Sequence, residues 1–199
     1  MNTSIRRLLL LGLAAAMLSA LGVLAGADDE EKVTKAKLNK PAPDFTLTDS
    51  TGQKRTLSDY KDKIIVLEWF NTECTFVRRQ YSSKSMQKTL EAVKKLSKDV
   101  VWLAVNSTHN TTPLINNFWI RQYKLKHPIL LDKDGKVGRM YDARTTPHMF
   151  VIDAEGVLRY HGAVDDDALG AKVPEDVTNY VLNAVRQIVN EETVDPSYI

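Results

Sequence analysis

The run at residues 64–70, "IIVLEWF", constrains the fold of this chain more than any other stretch. It is apolar throughout except for Glu68 and rich in β-branched and aromatic types, the pattern of a strand covered on both faces. Such a strand needs helices packed above and below it, which puts the chain in the layered α/β class. With 199 residues, 43% of them hydrophobic and 26% charged, there is material for one sizeable core rather than two.

The flanking patterns fill in the layers. Residues 44–60 alternate apolar and polar around a turn at 49–52, as in a short hairpin. After Cys74, the positions Met86, Leu90, Val93 and Ser97 recur at spacings of three and four, which predicts one helical stripe within a segment of about 20 residues. A second buried strand follows at 100–105. Leu114, Ile115, Phe118, Trp119, Gln122 and Tyr123 then repeat as helical neighbours behind Pro113, a residue suited to a first helical turn. A short strand at 129–131 ends in the turn "DKDG", and "DAEG" joins a hairpin of 149–152 and 157–161. Val177, Tyr180, Val181, Ala184, Val185, Ile188 and Val189 make a final amphipathic helix. A strand–helix–strand–helix beginning with a hairpin and a helix at its end calls for a mixed central sheet flanked by helices on both faces. Trp69, Trp102 and Trp119 lie in apolar runs and are expected in the core.

At the N-terminus, Arg6 and Arg7 precede an uncharged run at 8–24, followed by the small residues Ala25, Gly26 and Ala27. That order is read as a secretory signal peptide, residues 1–27, with an uncleaved membrane anchor as the alternative. The expected organisation continues with a charged linker at 28–40, one domain at 41–192 and a tail at 193–199. The protein is therefore expected outside the cytoplasm, periplasmic or extracellular. The first 27 residues hold two arginines and no acid, so the remainder carries 25 basic and 25 acidic side chains. That balance gives no electrostatic case for nucleic acid, and leaves the signal as the only membrane contact.

Export makes the cysteine count informative. A single thiol, Cys74, cannot close a disulfide within the chain, so it is a reactive group, an intermolecular partner or an inert buried sulfur. It falls just beyond the apolar strand and at the start of the next helix, where sheet edges collect ligands and unsatisfied N–H groups favour a thiolate. Arg78, four residues on, shares its helical face and adds positive charge. The competing reading is that free cysteine is usually a small buried hydrophobe. Glu68 interrupts the strand six residues earlier; buried, it is a candidate general base, and exposed, it simply meets solvent or a lysine. His109, His127, His148 and His161 have no ligand spacing, and no metal or other cofactor is expected.

The segments "VLEWFNTEC" and "TTPHMFVIDAEG", with "PAPDFTLTDSTGQKRTLSDYKDKIIVLEWF" ahead of them, resemble the thioredoxin-like fold and its redoxin branch, the AhpC/TSA or peroxiredoxin-like family. The resemblance implies that a cis Thr146–Pro147 bond faces Cys74, that Thr146, Pro147 and His148 line a substrate groove, and that Glu68 is the buried carboxylate assisting proton transfer. Two departures limit it. The tetrad Cys74-Thr75-Phe76-Val77 lacks the second thiol of C-x-x-C, and Leu67 and Asn71 stand where a peroxiredoxin carries proline and a hydroxyl residue. The chain is similar to exported single-cysteine members, although Thr75 replaces their usual proline.

These readings imply an oxidoreductase or antioxidant acting through one cysteine, as a mixed disulfide or a sulfenic acid formed with peroxide. Its partners are then proteins or small thiols and disulfides, and an external reductant must resolve the adduct. The rival is a redox-inactive binding module that uses the groove near Pro147.

Overall fold

The computed structural model describes residues 34–199. The expected signal peptide and the first part of the charged linker lie outside the described residues. The elements run β1 (Thr46–Asp49), β2 (Lys54–Thr56), β3 (Ile64–Trp69), α1 (Thr75–Ser82), α2 (Ser85–Leu96), β4 (Val100–Asn106), α3 (Pro113–Tyr123), β5 (Ile129–Leu131), α4 (Lys136–Tyr141), β6 (His148–Ile152), β7 (Leu158–Gly162) and α5 (Tyr180–Val189).

The strands form one sheet in the order β2-β1-β5-β4-β3-β6-β7. Its centre, β3, β4 and β5, is parallel, while β6 pairs antiparallel to β3 and β1 antiparallel to β5. The apolar run at 64–70 is thus the strand it promised to be, with all six residues of β3 buried. Its alternation divides the core. Val66 and Phe70 face a layer made by α1, α2, α3 and α5, whereas Ile65, Leu67 and Trp69 face Val137, Met140 and Tyr141 of α4. The expected mixed sheet with helices on both faces is present.

Two helical details differ from the sequence reading. The segment after Cys74 is two helices, because Lys84 adopts a left-handed conformation (φ 63°) between them. Ser82 and Ser83 turn their hydroxyls onto the carbonyls of Arg79 and Gln80, the local bonding by which serine competes with helix continuation. The "DKDG" turn also continues into a helix, α4, absent from the sequence reading. Its N-terminus is held by the buried Asp132 carboxylate, which accepts from Val137 N at 3.0 Å and Gly138 N at 2.8 Å.

Both ends of the described chain lie on the domain. In the part of the expected linker that is described, Ala36 and Asn39 donate backbone bonds to Met140 and Leu158, and Leu38 joins the α4-side core. In the expected tail, Ser197 and Ile199 exchange backbone bonds with His161 of β7.

Candidate functional site

Strand β3 ends at Trp69, and a tight loop carries the chain into α1, with Cys74 at the N-cap. Asn71 builds that loop: its side chain accepts from Glu73 N at 2.8 Å and its carbonyl from Cys74 N at 3.1 Å. Helix α1 has no acidic residue in its first turn and no side-chain cap. The positive end of its dipole is therefore left open at the cysteine. The sulfur is half-buried, against the helical-side core, and Sγ donates to the carbonyl oxygen of Thr146 at 3.0 Å. The Thr146–Pro147 bond is cis. Cys74 and the Thr146–Pro147 pair, 72 residues away in sequence, thus meet where β3 ends and β6 begins.

Glu68 is on the same side of the sheet as α1, with no exposed surface. Its carboxylate accepts from Tyr81 Oη at 2.9 and 2.8 Å and from Trp102 Nε1 at 2.9 Å. Burial raises its pKa to about 7, with the bonds from Tyr81 and Trp102 opposing that rise. The acid is therefore interior, which decides between the two orientations open from sequence. Tyr81 and Trp102 carry no sequence signal of this role. Tyr81 sits seven residues after Cys74 with Val77 between, a spacing that marks the inward face of α1 but not its contact. Trp102 reaches Glu68 only through the β3–β4 register.

Arg78 is exposed, and its Nε donates to the carbonyl of Thr72 at 2.8 Å. Among the described residues its hydrogen bond thus goes to the cysteine loop, which it ties to α1.

His148 departs from the expected groove lining. Strand alternation sends it to the opposite face from Met149, where its ring lies 4.5 Å from Phe150 and 5.6 Å from His161 and Nδ1 accepts from Arg144 N at 3.3 Å. Burial, with the neighbouring His161 adding to it, lowers its pKa to about 4. It follows Pro147 in sequence yet faces away from α1.

Two grooves flank the cysteine loop. One, of about 420 Å³, runs between Trp69, Asn71, Ser107, Arg144 and Thr146. The other, of about 760 Å³, lies between Thr72, Glu73 and Arg78 on one side and α3 on the other. Among the described residues, no group of three or more His, Cys, Asp or Glu is placed to hold a metal ion. No helix there is long and apolar enough to cross a membrane.

Known proteins resemble this chain in sequence and in fold. The thiol-disulfide oxidoreductase ResA of Bacillus thuringiensis is 31% identical over 125 residues, covering 63% of this chain and 69% of the relative. A hypothetical protein of Sinorhizobium meliloti superposes with a TM-score of 0.69 at 25% identity, over 83% of this chain and 91% of that one. The thioredoxin domain of a thiol-disulfide oxidoreductase of Bacteroides vulgatus superposes with a TM-score of 0.52 at 23% identity, over 62% of this chain and 86% of that one, a likeness of fold alone. The fold is thioredoxin-like. The sequence model of the AhpC/TSA family matches residues 38–161, and this chain belongs to that family.

Proposed function

We propose that the protein is an exported thiol oxidoreductase in which Cys74 is the sole nucleophile. The thiolate attacks a sulfur of a partner disulfide, a bond forms from Sγ to that sulfur, and the other partner sulfur leaves with the electron pair. An external thiol then resolves the mixed disulfide, because Val77 occupies the position of a second cysteine and is fully buried. The observation that carries this reading is the half-buried sulfur at the open N-terminus of α1, in contact with the Thr146 carbonyl. The relatives named as thiol-disulfide oxidoreductases support it. Pro147 shapes the groove wall beside the sulfur, Arg78 fixes the loop, and Glu68, which changes charge near neutrality, takes and returns the proton.

Trapping decides the matter. Cells producing the wild-type protein are quenched with acid and alkylated, and adducts on Cys74 are identified by mass spectrometry beside Cys74→Ser. Disulfide-linked partners on the wild type and none on the serine variant are expected. Partners retained equally by Cys74→Ser would instead make the protein a binding module. A peroxide route is separated by its product: rapid sulfenic acid on Cys74 after peroxide addition, with no partner required.

A further inference from the structure

Helix α3 turns a strongly apolar face outward. Leu114 is 73% exposed and Phe118 60%, on a helix whose other side holds Trp119 in the core. Large side chains left in water at helical spacing mark a surface that something else covers. Here they form the wall of the groove of about 760 Å³ whose opposite rim is Thr72 and Glu73, the two residues before Cys74. Anything lying in that groove therefore reaches the loop that carries the cysteine.

Length and charge identify the occupant. From Leu114 to Tyr123 the wall follows α3 for ten residues, about 14 Å at the helical rise, which matches about four residues of extended polypeptide. The rim carries Arg78 and Arg121 against the single acid Glu73. The Arg121 guanidinium makes no ion pair or hydrogen bond among the described residues. A segment with a large apolar side chain for the Leu114–Phe118 wall and a carboxylate for Arg121 complements both features.

We propose that this groove selects the protein substrates of Cys74: extended segments in which an aromatic or large aliphatic residue, followed by an acidic one, lies a few residues from the sulfur under attack. The proposal rests on the reading of Cys74 as a nucleophile and names the class of disulfide it takes.

The test uses the reduced protein and two synthetic peptides, Cys-Ala-Phe-Asp and Cys-Ala-Ser-Lys, each with its cysteine held as a mixed disulfide with thionitrobenzoate. Attack by Sγ on the peptide sulfur forms the new disulfide and expels thionitrobenzoate with the electron pair, so release of that anion reports the rate and no outside oxidant is needed. The rate with the Phe-Asp peptide is expected to exceed that with the Ser-Lys peptide about tenfold, the worth of one buried ring. In Phe118→Asp this ratio falls to about one, and in Arg121→Glu, which keeps the apolar wall, it falls several-fold. Equal rates for the two peptides in the wild type would overturn the proposal while leaving the nucleophile intact. A concentration-dependent dimer lost in Phe118→Asp would overturn it by giving the groove to a second copy. Failure of Cys74 to react with the small disulfide of dithionitrobenzoate would remove the nucleophile itself, and the groove's role with it.

Discussion

At the scale of single residues, two buried titratable groups set opposite pH dependences. Glu68 has its pKa raised to about 7 from an ordinary value of 4.5, so the folded protein holds a proton that the unfolded chain has already lost. Stability from this group is full below the unfolded value and falls as pH rises from about 4.5 to 7, by about 3 kcal/mol in all. Glu68→Gln keeps a neutral partner for Tyr81 and Trp102, and urea unfolding should find it more stable than wild type at pH 8 and nearly equal at pH 5. An equal or larger loss at pH 8 would mean that the charged carboxylate is the stabilised form. His127 slopes the other way. Burial lowers its pKa to about 4, its ring nitrogens lack partners among the described residues, and its ring lies 6.0 Å from Trp102. The unfolded chain takes up a proton there first, so its stabilising contribution is present above about pH 6.5 and lost as pH falls toward 4. His127→Phe should unfold less readily than wild type at pH 5, with the difference shrinking at pH 7.5. Neither environment is legible in the residue itself: a Glu in an apolar run admits two orientations, and a His before a proline admits many.

The elements were more legible than their joins. α3 and β5 fall where the periodicity puts them, Pro113–Tyr123 and Ile129–Leu131, because Pro113 and the apolar spacing mark a start and a face together. The α1–α2 break was not: Met86, Leu90 and Val93 all lie within α2, beyond it, and periodicity cannot register a single left-handed residue ahead of them. That residue, Lys84, carries a Cβ where glycine would be unstrained. Lys84→Gly is expected to stabilise the fold by about 1 kcal/mol, read as a higher urea midpoint at unchanged slope. A lower midpoint would show that Lys84 contributes contacts worth more than the strain. α4 is hidden from periodicity for a related reason. Its six residues are too few for a period to emerge, and its start depends on Asp132, whose carboxylate also accepts from Ser107 Oγ at 2.6 Å while Ser107 accepts from Trp69 Nε1 at 3.0 Å. That chain ties three strand ends together, and only the assembled sheet brings its members within reach.

For the molecule as a whole, the two sheet edges are handled differently. β2 ends one side with Lys54 and Arg55, charged residues that discourage pairing with another chain. On the other side the C-terminal residues lie beside β7: His161 N donates to Ser197 O at 3.1 Å, Ile199 N to His161 O at 3.4 Å, and the Tyr198 ring sits 4.8 Å from His161. Gly162 is required there, because a Cβ would collide with the Ile199 backbone. Removing residues 195–199 should speed amide exchange at His161 at least tenfold and cost roughly 1–3 kcal/mol, while β4 at the sheet centre keeps its protection relative to global unfolding. Unchanged exchange at His161 would show that the edge is not covered in solution. The sequence by itself determined the layered class, the central strand, most helices and the position of Cys74 at a strand-to-helix junction, since each is written in local spacing of apolar residues. Tertiary structure alone decided that Tyr81 and Trp102 hold Glu68, that His148 faces away from the cysteine, and that Arg78 grips the loop. Those outcomes depend on strand register and on contacts between residues far apart in the chain, and no local pattern encodes either.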